Sequence, residues 1–127
     1  MTDVLIIAGS KSDQQIVEKV ENVLKENTVD YKIEYCSFHR EPGRLQDIVK
    51  KSDAKVFIGI AGLSAALPGA IAAYTDKPVI GVPVSAKLKG IDAFLAMAQM
   101  PKGVPVATVG VDNGENAAYL AMRILKV

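Results

Sequence analysis

The chain holds one histidine, His39, and Arg40 follows it at once, in the run Tyr31-Lys32-Ile33-Glu34-Tyr35-Cys36-Ser37-Phe38-His39-Arg40-Glu41-Pro42. An imidazole exchanges a proton near neutral pH. A guanidinium beside it is a permanent cation whose planar donors suit phosphate. Ser37 adds a hydroxyl just before the pair, and Glu41-Pro42 can open a helix just after it. A lone histidine is more often a packing or surface residue than a catalytic one. Its place changes that reading: Tyr31 to Cys36 has a strand pattern, and open α/β sheets bind ligands at the carboxyl ends of their strands.

Two other loops stand in comparable places. Gly9-Ser10-Lys11-Ser12-Asp13 follows the apolar run Val4-Leu5-Ile6-Ile7-Ala8. Gly9 lets the chain turn, and the helix start behind it offers free N–H groups to an anion. Ser10 with Asp13 three residues on also resembles a capping box, so cap and ligand contact are equal readings of this loop. It has neither the GxxxxGK[ST] of a P-loop nor the GxGxxG of a dinucleotide fold. The third loop, Gly59-Ile60-Ala61-Gly62-Leu63-Ser64-Ala65-Ala66-Leu67-Pro68-Gly69, has almost no side-chain chemistry. What it offers is backbone N–H groups and close approach to a flat ligand. One histidine with scattered carboxylates supplies no metal cluster. No nucleophile elbow is present for a hydrolase triad, and Cys36, inside an apolar strand, reads as a core thiol.

The elements that must position these loops alternate along all 127 residues. Val4 to Ala8 is a strand buried on both faces. From Ser12 to Asn27, Ile16, Val17, Val20, Val23 and Leu24 fall at helical spacing. Asp30 to Cys36 is a second strand, Glu41 to Ser52 a surface helix with the thin stripe Leu45, Ile48, Val49, and Lys55 to Ile60 a third strand. Gly62 to Tyr74, rich in small apolar residues, suits a helix packed closely on other elements, another subunit included. Pro78 to Val82 is the fourth strand, Ile91 to Ala98 the fourth helix, and Val104 to Val109 the fifth strand. The closing helix, Asn113 to Leu125, buries Ala117, Leu120, Ala121, Ile124 and Leu125. This succession predicts one α/β domain over residues 1–127: a three-layer αβα sandwich on a flavodoxin-like, five-stranded parallel sheet ordered 2-1-3-4-5.

Composition excludes several functions. The formal charge of +1, without a basic stripe, and the absence of Trp argue against a nucleic-acid partner. No apolar run is long enough to span a bilayer, so no membrane partner is expected. The amino end enters a strand directly, so no signal peptide is expected either, and the place expected is the cytoplasm.

The three loops, in this order, resemble the PurE family of purine biosynthesis. Members follow strand one with Gly-Ser-x-Ser-Asp and strand two with Ser-Ala-His-Arg-Thr-Pro, matched here by Gly9 to Asp13 and by Ser37 to Pro42 with two substitutions. Leu67-Pro68-Gly69, Pro78 to Val84, Leu88 to Asp92 and the run from Gln99 to Val109 extend the likeness, which covers Val4 to Leu125. Two departures stand out. Most bacterial mutases of the family carry a histidine where Ala66 stands, and small residues where Leu63 and Ser64 stand. Many members also continue past the closing helix, whereas this sequence stops at Val127.

The resemblance implies an isomerase that moves carboxylate in N5-carboxyaminoimidazole ribonucleotide from the exocyclic nitrogen to ring carbon C4, with neither metal nor organic cofactor. It gives His39 the C4 proton and Arg40 the phosphate. Ser10 and Asp13, with Gly9 and Ser12 in the same loop, take the nucleotide, and Ser37 the ring or CO2. Gly62, Ser64, Ala66 and Leu67 line the carboxylate pocket. It also implies a homo-octamer with its sites at subunit contacts. The alternative within the family is an aminoimidazole ribonucleotide carboxylase using free CO2. That enzyme also lacks the third-loop histidine but tends to have Lys after the second-loop one. From another class comes a flavodoxin-like nucleotide-binding module without catalysis, disfavoured because no loop offers aromatic residues to sandwich a flavin.

Overall fold

The computed structural model describes residues 1–127. Strands β1 (Val4–Ala8), β2 (Tyr31–Tyr35), β3 (Val56–Ala61), β4 (Val79–Pro83) and β5 (Ala107–Thr108) form one sheet in the order β2-β1-β3-β4-β5, with every neighbouring pair parallel. Helices α1 (Gln14–Glu26), α2 (Pro42–Lys51), α3 (Leu67–Tyr74), α4 (Ile91–Ala98) and α5 (Gly114–Leu125) connect the strands, and a 3-10 turn at Lys11–Asp13 leads into α1. Strands β1 to β4 are short and flanked by breaks, and the three central strands are buried on both faces as their continuous apolar runs require. At the edge, β2 keeps Lys32 exposed and Glu34 half-buried, charges that discourage pairing with another sheet.

Alternation along β1 divides the core. Val4, Ile6 and Ala8 pack with Ile16, Val17, Val20, Val23 and Leu24 of α1 and with Ala117, Ala118 and Ala121 of α5. Leu5 and Ile7 face the other way, with Leu45 and Val49 of α2, Leu67 and Ile71 of α3, and Ala93 and Met97 of α4. The α1 stripe is the one its spacing predicts, and side chains such as Val20 and Leu24 each contribute about 1.5–3 kcal/mol by leaving water. Gly81 shows how closely α4 comes to the sheet: a Cβ there would lie 2.9 Å from Met97 Sδ. The chain passes from β1 outward to β2 and returns to β3 on the other side of β1. That reversal is the switch point where such folds hold ligands.

Three expectations are corrected. β5 is two residues long instead of running from Val104 to Val109. Pro105 has no N–H to donate, and the Val104 N–H turns back to the Pro101 carbonyl at 3.1 Å. The segment Gly62 to Tyr74 is helical only from Leu67, with Pro68 in its first turn. In α5, Ala118 is fully buried beside Ala117 and Ala121, while Leu120, Ile124 and Leu125 are half-buried around them. No helix is long and apolar enough to cross a membrane.

Candidate active site

The parallel ladder continues past the strand ends and brings the loops level with one another. Gly9 N–H donates to the Ile60 carbonyl (3.0 Å), Cys36 N–H to Ala8 (2.9 Å), and Val84 N–H to Ala61 (3.0 Å). A cleft of about 650 Å³ opens between these loops, within the range of small-molecule sites. Gly9, Ser10, Ser12, Asp13, Ser37, His39, Arg40, Gly62, Ser64 and Leu67 all line it. Ala66 does not: it sits at the amino end of α3, and its N–H donates to the Ser64 carbonyl at 2.8 Å.

His39 is tied across the cleft, with Nε2 3.0 Å from the Ser64 carbonyl oxygen. A carbonyl only accepts, so Nε2 carries the proton, and in the neutral ring Nδ1 is the free base. The Phe38 ring stands beside the imidazole, centroids 5.5 Å apart and planes tilted by 57°. Arg40 is exposed. The ion pairs of the chain use Lys25, Arg44 and Lys55, which leaves the Arg40 guanidinium unpaired. Ser37 fixes this loop, accepting the Arg40 N–H on Oγ (3.3 Å) and the Glu41 N–H on its carbonyl (2.9 Å).

In the first loop Ser10 is a cap. Its Oγ caps the 3-10 turn by accepting the Ser12 N–H (3.2 Å), takes the Ser12 hydroxyl as well (2.9 Å), and still lines the cleft. Asp13 is buried at the start of α1. Burial pushes its carboxyl above the usual carboxylate range, the charge of Asp112 pushes it further, and the Ser10 backbone amide pulls it back. Cys36 is buried and burial raises its thiol, in keeping with a core role.

The third loop is backbone brought close. A Cβ on Gly62 would lie 3.2 Å from the Val84 carbonyl oxygen, so the loops after β3 and β4 touch there. Leu63 holds a φ of +52°, a left-handed conformation that a non-glycine residue adopts at a cost. Sequence reasoning missed the fourth wall, Val84, Ser85 and Ala86, together with Phe38, Ala61 and Leu63. The signal was available: Val84 to Ala86 directly follows an apolar strand pattern, as the other three loops do.

A cleft at the switch point, lined by an anchored imidazole and an unpaired guanidinium, marks a doubly wound α/β protein with a cavity of small-molecule size. The AIR carboxylase family model matches residues 3–127, and the chain belongs to that family. It is 57% identical over 122 residues to the N5-carboxyaminoimidazole ribonucleotide mutase of Methanocaldococcus jannaschii, covering 96% of this chain and 78% of that protein. It is 53% identical over 125 residues to a protein of Methanobrevibacter smithii named as a probable mutase of the same kind, of which it spans 37%. The crystal structure of Treponema denticola PurE superposes with a TM-score of 0.88 at 31% identity, covering 99% of this chain and 81% of that one.

Proposed function

We propose that this chain is an N5-carboxyaminoimidazole ribonucleotide mutase of purine biosynthesis, as its relatives are named. The carrying observation is His39, anchored through Nε2 on Ser64 with Nδ1 free, in a cleft whose other loops bring Ser10, Asp13 and Arg40.

The reaction moves one carboxylate and one proton. The bond between the exocyclic nitrogen and the carboxyl carbon breaks, releasing CO2 while that nitrogen gains a proton. The electron-rich C4 then attacks CO2, and C4 loses a proton to restore the aromatic ring. The proton taken up at nitrogen balances the one lost at C4, so one acid/base suffices. His39 Nδ1 does both: in the imidazolium it gives its proton to the nitrogen as the C–N bond breaks, and the free Nδ1 so formed takes the proton from C4. Arg40 holds the 5′-phosphate by charge-assisted hydrogen bonds, and Asp13 takes ribose hydroxyls. The loop from Gly62 to Leu67 holds CO2 beside C4, which replaces a bimolecular encounter with a positioned one. Ala66 takes no direct part, because it lies outside the cleft lining and its N–H is held by the Ser64 carbonyl.

The protein works as a homo-octamer in the cytoplasm. Support for assembly lies on α4 and the loop before it, where Leu88, Ile91 and Leu95 are 63%, 61% and 46% exposed, an apolar grouping that a solvated monomer seldom presents. The small-residue segment at α3 supports it less, because Leu67, Pro68 and Ile71 are buried within the chain. Sedimentation at micromolar concentration should show an assembly, and a fully active monomer would refute it.

The activity is tested by offering purified protein N5-carboxyaminoimidazole ribonucleotide and, separately, aminoimidazole ribonucleotide with bicarbonate. The mutase turns over the first in preference. Efficient use of the second with the first untouched would assign the carboxylase instead, and binding without turnover of either would leave a nucleotide-binding module.

A further inference from the structure

Asp112 lies outside the loops discussed so far, just beyond β5, yet every polar group it owns is engaged. One carboxylate oxygen accepts the Ser85 N–H at 2.8 Å and the other the Ser85 hydroxyl at 2.6 Å. Its own N–H donates to the Pro83 carbonyl (2.8 Å), and its carbonyl accepts from Lys19 Nζ (3.3 Å). It does this with a φ of +60°, a conformation that Asp tolerates better than most residues because of its short polar side chain. The bonds to Ser85 and Pro83 converge on the end of β4 and the loop after it, the fourth wall of the cleft, while Lys19 ties Asp112 to α1.

We propose that Asp112 is a positioning residue for the cleft: by taking both Ser85 donors it fixes the fourth wall and leaves Ser85 Oγ to face the ligand as a hydrogen-bond acceptor only. The inference rests on the reading that the cleft takes the ribonucleotide. A serine hydroxyl has one proton and two lone pairs. At Ser85 the proton is committed to a carboxylate, in a short charge-assisted bond. At Ser10 the opposite holds: Oγ already accepts from the Ser12 N–H and the Ser12 hydroxyl, so its own proton is what remains to offer. Two serines on one cleft therefore have opposite hydrogen-bond polarity. Ser10 suits an anionic oxygen, whereas Ser85, with a carboxylate behind it, suits an N–H donor of the nucleotide and repels phosphate or carboxylate. The cleft thereby specifies which way round the ligand lies.

Asp112→Asn tests this, because an amide keeps the shape and reverses one bond. Its oxygen still accepts the Ser85 N–H, but its NH2 now donates to Ser85 Oγ, turning the hydroxyl proton toward the ligand. KM for N5-carboxyaminoimidazole ribonucleotide should rise by more than about tenfold, with kcat changed far less, since a donor would face a donor. Ser85→Ala should raise KM by about three- to tenfold, the loss of one neutral hydrogen bond. The double variant should match Ser85→Ala, because the Asn acts only through the hydroxyl that Ala removes. Multiplying effects in the double variant, or an unchanged KM in Ser85→Ala, would overturn the proposal, and the second result decides even if Asp112→Asn fails to fold. Hydrogen exchange of the Ser85 amide separates this from the assigned activity. It should be slow in the unaltered protein and fast in Asp112→Ala, and equal rates would overturn the latch whether or not the protein turns over substrate.

Discussion

The Ser64 carbonyl oxygen accepts two hydrogen bonds, from His39 Nε2 at 3.0 Å and from the Ala66 N–H at 2.8 Å. The first joins the loop after β2 to the loop after β3, and the second turns that loop into α3. One backbone oxygen thus fixes the histidine's tautomer and the start of the helix together. Ala66 itself offers no side chain that could carry a proton, so where these two loops meet the anchored histidine is the group that can. In the proposed mechanism the proton that reaches nitrogen and the proton that leaves C4 need one acid/base, the role proposed for His39.

His39→Asn should bind nucleotide and lose turnover. An Asn side chain cannot carry the proton and stops short of the Ser64 carbonyl that Nε2 reaches, and general acid–base catalysis contributes about 10²–10⁴-fold. Steady-state kinetics together with nucleotide titration check this, and turnover near that of the unaltered protein would require another proton carrier.

Arg40→Ala should weaken ribonucleotide binding by roughly 1.5–3 kcal/mol, the contribution of a hydrogen bond to a charged group. Lys50→Ala, on the exposed side of α2, is the control and should change affinity little. Calorimetric titration of both variants gives the comparison, and equal affinities would take Arg40 away from the phosphate.

Asp13 gives a pH signature. Its carboxyl titrates above its ordinary value in the folded protein, through burial first and Asp112 second. The folded state therefore holds that proton more tightly than the unfolded chain does. The stability this gives is fully present below the unfolded pKa and is lost as pH rises through the folded one. Asp13→Asn removes the titration, so its melting temperature relative to the unaltered protein should climb across that window and then level off. A difference independent of pH from 3 to 7 would contradict the raised carboxyl.

Leu63 carries backbone strain in the loop that meets His39. Its side chain is 56% exposed and its φ is +52°. A left-handed conformation costs an L-residue about 1–2 kcal/mol, while a glycine adds unfolded-state freedom worth roughly 0.5–1 kcal/mol. Leu63→Gly should therefore unfold no earlier than the unaltered protein, despite the loss of a large apolar side chain. A melting temperature several degrees lower would mean that the leucine packs where its exposure says it does not.

Much of this arrangement was legible from residue order. The five apolar positions of α1 are those the helical period picks out, and the bounds of α4 match their pattern to the residue. The sheet order follows from right-handed crossovers and a chain that reverses at β1. Legibility failed where backbone geometry, which no periodicity encodes, decides the outcome. Pro105 and a local turn cut β5 short, and Ala66 stays out of the cleft lining in the tight turn that its N–H makes with the Ser64 carbonyl. The latch between Ser85 and Asp112 joins residues 27 apart through a left-handed aspartate, and neither residue has a neighbour in sequence that announces the other.

The central claim is that CO2 passes from nitrogen to carbon within the cleft. N5-carboxyaminoimidazole ribonucleotide carrying ¹³C in its carboxylate should be turned over in buffer containing excess unlabelled bicarbonate, and the product's C4 carboxylate analysed by mass spectrometry. Transfer within a closed site predicts that the product keeps the label throughout the reaction. A product that carries the unlabelled carbon of the buffer would contradict it, because the carboxylate would then have come from free CO2.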